Sequence, residues 1–158
     1  MQENTVVITR FELQHQKIVC DLILEGLAEH WGVLDPTFNQ DLLDIAQSYK
    51  DGIFLLAWQD SKLVGTGALI PECEGVARIV RMSVEKAHRR QGIGKIILNN
   101  LLTHAQEQKL QKVVLETTAN WEDAIAFYKR AGFRPLEVRD GDLHFELDLS
   151  CTIANGSV

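Results

Sequence analysis

Apolar residues recur along the chain with two different periods, one typical of helices and one typical of strands. One set recurs at intervals of three and four residues, the spacing of a single face of an α-helix. Such stretches predict helices over residues 18–31, 39–49 and 121–131, and one that begins near Gly92. The last is the best defined, because Ile93, Ile97, Leu101 and Ala105 fall in line on one face.

Short apolar runs bounded by turn residues predict the strands. These runs cover residues 6–11, 53–58, 63–70, 76–84, 112–118, 133–138 and 143–149. Polar turns at 59–62 and 140–141 join neighbouring runs into hairpins, and residues 71–75 form a loop before the run at 76–84. The order of the elements predicts an α/β (α+β) fold, with a mixed central sheet of six or seven strands and helices on both faces.

Length and composition indicate one folded domain. The chain has 158 residues, of which 46% are hydrophobic and 24% are charged, close to the globular average. We expect a single domain over residues 1–150 and a flexible tail at 151–158. The net charge of −6 argues against a nucleic-acid partner, since such proteins usually present a broad basic surface.

The sequence shows no membrane-spanning, secretory or metal-binding pattern. No apolar run approaches the roughly 18 residues that cross a bilayer. Residues 1–10 lack a signal-peptide core, so we expect a cytoplasmic protein with no membrane partner. The three cysteines and five histidines do not pair at ligand spacing, which predicts no bound metal and no disulfide framework.

A short basic segment that contains glycine offers the clearest chemistry. Residues 89–95, Arg-Arg-Gln-Gly-Ile-Gly-Lys, connect the strand at 76–84 to the helix that follows. Its two glycines allow a tight turn, and the first helical turn leaves N–H groups unpaired at the positive end of the helix dipole. With Arg89, Arg90 and Lys95 beside them, these amides predict a site for phosphate or pyrophosphate. A solvated charged turn with no ligand is the alternative.

Two nucleotide-binding motifs were compared with this segment, and both fail. The P-loop pattern requires serine or threonine after its lysine, but Lys95 is followed by Ile96, and no glycine stands five residues before Gly94. The dinucleotide fingerprint requires a third glycine where Ile97 stands. A nucleotide-binding switch is therefore disfavoured.

Residues 89–94 match the pattern [RQ]-x-x-G-x-[GA], and three further segments match the same family in the expected order. These segments are residues 81–84, 113–117 and 124–133. On these residues the chain resembles the GNAT superfamily of acetyl-CoA-dependent N-acetyltransferases. The sequence around Arg-Met-Ser-Val and Leu-Glu-Thr most resembles the camello-like branch of this superfamily.

The resemblance implies how acetyl-CoA is bound as the co-substrate. It implies a single-domain GNAT fold whose sheet is splayed between the strands at 76–84 and 112–118, with acetyl-CoA in the gap. Backbone groups of the first strand would pair with the pantetheine arm, and loop amides would hold the pyrophosphate. The cofactor-binding residues expected on this basis are Met82, Ser83, Val84, Arg89, Arg90, Gln91, Gly92, Ile93, Gly94, Lys95, Asn120, Ala124 and Phe127.

The resemblance also implies that Tyr128 donates a proton to the departing CoA thiolate. Aminolysis of a thioester expels a thiolate, which a positioned phenol can protonate or stabilise. Tyr128 also shares an apolar helical face with Phe127 and Ala131, so packing in the core is the alternative. Asn120 likewise has a structural alternative as the N-cap of this helix, with Asp123 three residues later.

A protonated amine must lose a proton before it can attack the acetyl carbon, so a general base is expected. Many GNAT relatives use a glutamate on the strand before the glycine loop, where this chain has Arg78, which cannot accept a proton. We predict that Glu116 is the base, with Glu72 and Glu74 as alternatives. Inside an otherwise apolar strand, Glu116 would need a partner or a raised pKa. A structural glutamate bonded to backbone is its other interpretation.

The acceptor is expected to meet the first two helices and their connection. Trp31 and Phe38 would give apolar contact there, and Glu29 and Asp35 would attract a cationic amine. The sequence therefore predicts direct acetyl transfer to a primary amine of a small molecule or a peptide, and it leaves a homodimer open. A catalytically silent CoA-binding domain is the alternative, favoured by Arg78 and by Trp121, which stands where the family has a CoA-contacting asparagine.

Overall fold

The computed structural model describes residues 5–32 and 38–150. The strands are β1 (Val6–Arg10), β2 (Ile53–Gln59), β3 (Lys62–Cys73), β4 (Val76–Val84), β5 (Lys112–Thr118), β6 (Arg134–Arg139) and β7 (Asp142–Asp148). The helices are α1 (Gln16–Trp31), α2 (Ile45–Ser48), α3 (Ile93–Glu107) and α4 (Glu122–Arg130). The strands form one mixed seven-stranded sheet in the order β1-β2-β3-β4-β5-β7-β6, so the predicted fold class is confirmed.

Most predicted element boundaries lie within two residues of those in the structure, and two stretches differ by more. The stretch predicted as one helix at 39–49 is a 3-10 helix at Gln40–Asp44 followed by α2. The break occurs because the Asp44 carboxylate accepts a hydrogen bond from the Gln47 amide, 3.2 Å, and so caps a new helix start. Residues 71–73, predicted as loop, continue β3, since Gly75 at φ 76° lets the chain reverse within two residues.

Residue contacts divide the described chain into two compact units. The first comprises the described parts of residues 1–70 and 80–101, and the second those of 71–79 and 102–158. None of the helices within the described residues is long and apolar enough to cross a bilayer. Residues 151–158, predicted as a flexible tail, lie outside the part of the chain that the structure describes.

In the first unit, α1 and α3 lie on opposite faces of the sheet. Consecutive strand residues point to opposite faces, and Met82 and Ser83 are such a pair. A Cβ built on Gly67 would lie 2.6 Å from both the Met82 Sδ and the Ile97 Cγ2 of α3. A Cβ built on Gly26 of α1 would instead lie 3.1 Å from the Ser83 Oγ. Helices therefore cover both faces in this unit, as predicted.

Helix α3 approaches β3 closely because Gly65 and Gly67 carry no side chain. A Cβ on Gly65 would lie 2.8 Å from the Ile97 Cδ1 and 3.2 Å from the Ile93 Cγ2. Both isoleucines are buried, with exposed fractions of 0% and 1%. A second core cluster in this unit consists of Val19, Ile23, Leu42, Ile45, Phe54, Leu56, Leu63 and Ala68.

In the second unit, β5 lies between β4 and β7. Residues 76–78 of β4 pair in parallel with residues 112–114 of β5, and β5 pairs antiparallel with β7 along its whole length. The β6–β7 hairpin turns at Asp140 and Gly141, both with positive φ, as a two-residue turn of this kind requires.

Candidate functional site

The segment at residues 85–95 connects β4 to α3 and contains the predicted anion site. Helix α3 begins directly after Gly92, whose carbonyl accepts a hydrogen bond from the Ile96 amide, 3.1 Å. Gly92 has φ 81°, and a Cβ placed on it would meet no atom within 4 Å. Glycine is therefore required here by the backbone conformation rather than by lack of space. Ile93 is buried, which fixes the start of the helix in the core.

The first turn of α3 offers unpaired donors. Within the described residues, the amides of Ile93, Gly94 and Lys95 donate no backbone hydrogen bond, as expected for a helix N-terminus. The Arg90 and Lys95 side chains are exposed and form no ion pair with any described residue. These amides and cations fit the pyrophosphate of acetyl-CoA, because they combine the positive end of a helix with two available charges.

Arg89, unlike Arg90 and Lys95, forms an ion pair within the protein. Its Nη1 and Nη2 donate to the two carboxylate oxygens of Glu29 on α1, at 2.6 and 3.0 Å. Its Nε donates to the Val84 carbonyl at 3.1 Å. The hydrogen bond from Arg89 lowers the pKa of Glu29 below its ordinary value. The guanidinium thus binds a carboxylate and a strand end of its own unit.

The last residues of β4 follow a backbone irregularity at Arg81. Arg81 has φ 56°, a left-handed conformation that is uncommon for a residue with a side chain. Its carbonyl accepts a hydrogen bond from the buried Thr66 hydroxyl, 2.8 Å. Beyond it, Met82 and Ser83 are directed towards α3 and α1 respectively, as the glycine contacts show. The predicted pantetheine-binding residues 82–84 therefore follow a locally fixed bend.

The Arg81 side chain is part of a half-buried cluster that the sequence did not indicate. Its Nε and Nη2 donate to the Asp41 carboxylate at 2.9 and 2.5 Å, and Nη2 also donates to the Asn39 side chain at 3.2 Å. The Tyr49 hydroxyl donates to the same carboxylate. Burial alone would raise the pKa of Asp41, but the hydrogen bonds from Arg81 and Tyr49 outweigh it and lower that pKa.

A cavity of about 550 Å³ lies between α1 and the segment after β4, within the first unit. Both partners of the Glu29–Arg89 pair are part of its wall. The cavity is lined by Leu22, Glu25, Gly26, Glu29, Val84, Glu85, Lys86, Ala87 and Arg89. Two of the predicted cofactor-binding residues, Val84 and Arg89, therefore face a space large enough for part of a ligand.

Tyr128 lies in the second unit, in an aromatic cluster. Its ring centroid is 5.1 Å from Phe127, 5.9 Å from Phe133 and 6.0 Å from Phe145, and 7% of the residue is exposed. The hydroxyl forms no hydrogen bond with another described residue. Burial raises the pKa of Tyr128, which keeps the phenol protonated. The packing alternative is therefore visible in the structure, and the role of Tyr128 as a proton donor stays a prediction.

Glu116, the predicted base, forms an ion pair with Arg78 of β4 in the same unit. The Arg78 Nε and Nη2 also donate to both oxygens of Glu72, at 2.8 and 2.9 Å. The partner that Glu116 was expected to need is therefore a guanidinium, which stabilises the charged carboxylate and occupies it. Since Arg78 engages Glu72 in the same way, the ion pairs argue against either carboxylate as a ready proton acceptor.

The predicted capping role of Asn120 is wrong. Helix α4 begins at Glu122, and Trp121 occupies the N-cap position with φ −90° and ψ 79°, without a side-chain cap. Asn120 is exposed and stands one residue earlier, because the Trp121 amide donates to the Thr118 carbonyl and closes a turn there, 3.0 Å. Ala124 and Phe127 are half-buried on α4. Whether these residues contact acetyl-CoA stays a prediction.

Of the predicted acceptor-binding residues, Trp31 and Phe38 are described and Asp35 lies outside the described residues. Trp31 ends α1, is 52% exposed and packs edge-on against His30, with ring centroids 4.7 Å apart. Phe38 is 79% exposed. Large exposed aromatic side chains are available in this part of the chain. Among the described residues, no cluster of three or more His, Cys, Asp or Glu side chains could hold a metal ion.

Comparison with known families identifies the chain's relatives. A family model described as "Acetyltransferase (GNAT) family" matches residues 20–133, well over half of the chain. The chain belongs to the GNAT family. The match includes most of α1, the segment at 85–95 and Tyr128, so the resemblance that the sequence indicated is confirmed.

Curated GNAT relatives are N-acetyltransferase 8 proteins. Human N-acetyltransferase 8 is 31% identical over 109 residues, which cover 64% of this chain and 48% of that protein. Mouse N-acetyltransferase 8F1 is 31% identical over 121 residues, 72% of this chain and 54% of that protein. The chain spans about half the length of the curated relatives it matches. These names agree with the camello-like branch indicated by the sequence.

Solved GNAT structures share the fold. An acetyltransferase of the GNAT family from Staphylococcus aureus Mu50 superposes with a TM-score of 0.84 at 23% identity, covering 92% of this chain and 99% of that one. The PaiA N-acetyltransferase of Thermoplasma acidophilum, determined in complex with coenzyme A, gives a TM-score of 0.80 at 17% identity over 91% and 99% of the two chains. At these identities the likeness concerns the fold.

Proposed function

We propose that this GNAT-family chain binds acetyl-CoA and transfers the acetyl group directly to a primary amine. The observation that carries the proposal is the N-terminus of α3. The amides at residues 93–95 donate no backbone hydrogen bond, and the Arg90 and Lys95 side chains beside them form no ion pair with a described residue. A pyrophosphate site requires such free donors and positive charges. The GNAT family match and the coenzyme A complex of the T. acidophilum protein support acetyl-CoA as the ligand.

Each part of the chain has a separate task in this proposal. The amides at 93–95 bind the pyrophosphate, and backbone groups of residues 82–84 pair with the pantetheine arm and orient the thioester. When bound, acetyl-CoA supplies an activated acyl group for attack by the amine. Tyr128 gives its hydroxyl proton to the departing sulfur, and no hydrogen bond to another described residue holds that hydroxyl.

Removal of the amine proton is assigned to solvent. Arg78 binds both Glu116 and Glu72, so neither carboxylate is a ready acceptor. The ammonium form loses one proton to water in the ordinary acid–base equilibrium, and the small neutral fraction present at each moment attacks the acetyl carbon. The nitrogen then gives a second proton to water as the amide forms and the thiolate leaves. Glu116 as the general base is the competing assignment, and its substitution by glutamine separates the two.

The acceptor is proposed to be a primary amine on a small molecule or a peptide. The exposed rings of Trp31 and Phe38 support an acceptor with an apolar portion. The curated relatives are named as N-acetyltransferases without an acceptor, so their names leave both classes of amine in place.

The first experiment combines binding with turnover. CoA binding would be measured by calorimetry, and thiol release from acetyl-CoA would be followed across amino acids, polyamines, cysteine conjugates and peptides. We expect CoA binding and turnover with at least one acceptor. Binding without turnover would favour a catalytically silent CoA-binding domain. The ion pairs of Arg78 with Glu116 and Glu72 also favour that alternative. Absence of CoA binding would refute both functions.

A matched pair of variants tests the anion site itself. Arg90→Gln combined with Lys95→Gln removes the two uncommitted charges at the start of α3. We expect this variant to bind CoA several-fold more weakly, whereas Lys50→Gln, at an exposed lysine outside the segment, should bind like the wild type. Equal CoA affinity in all three proteins would exclude this helix N-terminus as the pyrophosphate site.

A further inference from the structure

Arg89 is the first residue of the [RQ]-x-x-G-x-[GA] pattern, and each of its three guanidinium nitrogens donates a hydrogen bond within the protein. Nη1 and Nη2 bind the two oxygens of Glu29, and Nε binds the Val84 carbonyl. Glu29 lies sixty residues earlier in the chain, in the last turns of α1. One side chain therefore connects the end of α1 to the end of β4 at the point where the loop begins.

This ion pair is too exposed to have stability as its main effect. The Arg89 and Glu29 side chains are 42% and 35% exposed. Pairs with this exposure contribute little to the free energy of folding, because water competes for both charges. A bidentate arginine–carboxylate contact does, however, fix the orientation of the guanidinium and of the backbone that carries it.

The fixed backbone is one end of a very short span. Ile93, four residues after Arg89, is held at the other end by its burial in the core. Only residues 90–92 lie between the two anchors, and Arg90 and Gly92 both adopt left-handed conformations, with φ 65° and 81°. With both ends held, so short a span has few alternative conformations, and the first amides of α3 keep one direction.

We propose that Glu29 is a positioning residue for donor binding. It holds Arg89 against Val84, and Arg89 in turn sets the loop so that the amides at residues 93–95 face the pyrophosphate. Arg89 acts through the loop and is not itself a ligand of the anion. This inference rests on the proposed function, since it concerns how the same acetyl-CoA site is held.

A direct role of Arg89 in binding pyrophosphate predicts the opposite change in CoA affinity when the Glu29 charge is removed. If Arg89 were a pyrophosphate ligand that Glu29 masks in the free protein, removing the Glu29 charge would release the guanidinium and tighten CoA binding. If Glu29 positions the loop, removing its charge weakens CoA binding. The direction of the change in affinity therefore decides between positioning and masking.

The test uses Glu29→Gln and the control Glu107→Gln. Glu107 is an exposed glutamate at the end of α3 that does not line the cavity and forms no ion pair within the described residues. Calorimetry would give the dissociation constants for CoA and for pantetheine, which has no pyrophosphate. We expect Glu29→Gln to weaken CoA binding about three- to fivefold, the upper part of the range that an exposed pair converts to. Pantetheine binding and the melting temperature should be unchanged, and Glu107→Gln should behave like the wild type.

Arg89→Gln supplies the second arm. In its background, the additional Glu29→Gln change should have no further effect on CoA affinity, since the two residues act as one unit. Equal affinities of Glu29→Gln and Glu107→Gln, or tighter binding by Glu29→Gln, would overturn the inference while leaving the proposed function intact. A wild-type protein that does not bind CoA would refute the proposed function itself.

Discussion

The close packing of α3 on β3 leads to a prediction that depends on single methyl groups. In Gly65→Ala, the new Cβ would lie 2.8 Å from the Ile97 Cδ1, well inside the ordinary carbon–carbon contact distance of about 3.5–4.0 Å. In Gly67→Ala, it would lie 2.6 Å from the Ile97 Cγ2 and equally close to the Met82 Sδ. Valine at position 97 lacks the δ methyl and retains both γ carbons. Ile97→Val should therefore relieve the 2.8 Å contact at position 65, where contacts of 3.2 Å with the Ile93 Cγ2 and the Ser83 carbonyl oxygen remain, and should leave the contacts at position 67 unchanged.

The expected free energies follow from these contacts. Overpacking of a core costs about 1–3 kcal/mol, and replacing glycine recovers about 0.5–1 kcal/mol through the entropy of the unfolded chain. Gly65→Ala should thus lower the free energy of unfolding by about 0.5–2 kcal/mol, and Gly67→Ala by the upper part of that range. Ile97→Val alone should cost about 0.5–1.5 kcal/mol, because the side chain is fully buried.

The two double variants test whether the substitutions at positions 65 and 67 are energetically coupled to Ile97→Val. The Gly65→Ala and Ile97→Val pair should be about as stable as Ile97→Val alone, which corresponds to a coupling energy of about 1 kcal/mol. The Gly67→Ala and Ile97→Val pair should be additive. Urea unfolding followed by circular dichroism would give all six free energies, including that of the wild type. Additivity at position 65, or equal coupling at both positions, would show that α3 does not contact β3 through these methyl groups.

Three further predictions concern Tyr128, Glu116 and Asp41. Tyr128→Phe should lower kcat about 100-fold, the low end for a lost proton donor, with the dissociation constant for CoA and the melting temperature unchanged; an unaffected kcat would assign the residue to packing alone. Glu116→Gln should keep far more than the roughly 1% of activity that loss of a general base leaves, and a fall to that level in steady-state assays would restore Glu116 as the base. Because the pKa of Asp41 is lowered in the folded state, its contribution to stability is complete above its unfolded pKa and is lost as pH falls through the folded value, below about pH 4. Asp41→Asn should therefore lower the free energy of unfolding at pH 7 and flatten its pH dependence on the acid side, and an unchanged acid profile would contradict this assignment.

The sequence predicted those parts of the molecule whose cause is local. Apolar periodicity located the strands and the long helices, and Gly32 and Gly92 stand at helix ends where their positive φ values are needed. The candidate anion site could also be proposed from the sequence, because its amides, glycines and cations lie within seven consecutive residues. The prediction of Asn120 as the N-cap of α4 was wrong by one position, because Trp121 occupies the N-cap backbone position.

Contacts between distant residues could not be read in this way. Arg89 meets Glu29 across sixty positions, and Arg81 meets Asp41 across forty. Neither pair has a spacing that repeats along a helix or strand, so periodicity carries no signal for them. The sequence indicated that Glu116 needs a partner but not which residue it is. In the structure that partner is Arg78. These three pairings depend on the tertiary fold, unlike the Lys17–Asp21 pair, whose i,i+4 spacing on α1 is local.

The left-handed backbone of Arg81 reverses the usual ranking of amino-acid replacements at that position. Standard substitution tables treat glutamine as a mild change for arginine and glycine as a severe one. Here glutamine would lose the ion pair with Asp41 and keep a conformation that costs a residue with a side chain about 1–2 kcal/mol. Glycine would lose the same ion pair but remove that cost. A saturation library at residue 81 should therefore rank glycine above glutamine, against the order that chemical similarity gives.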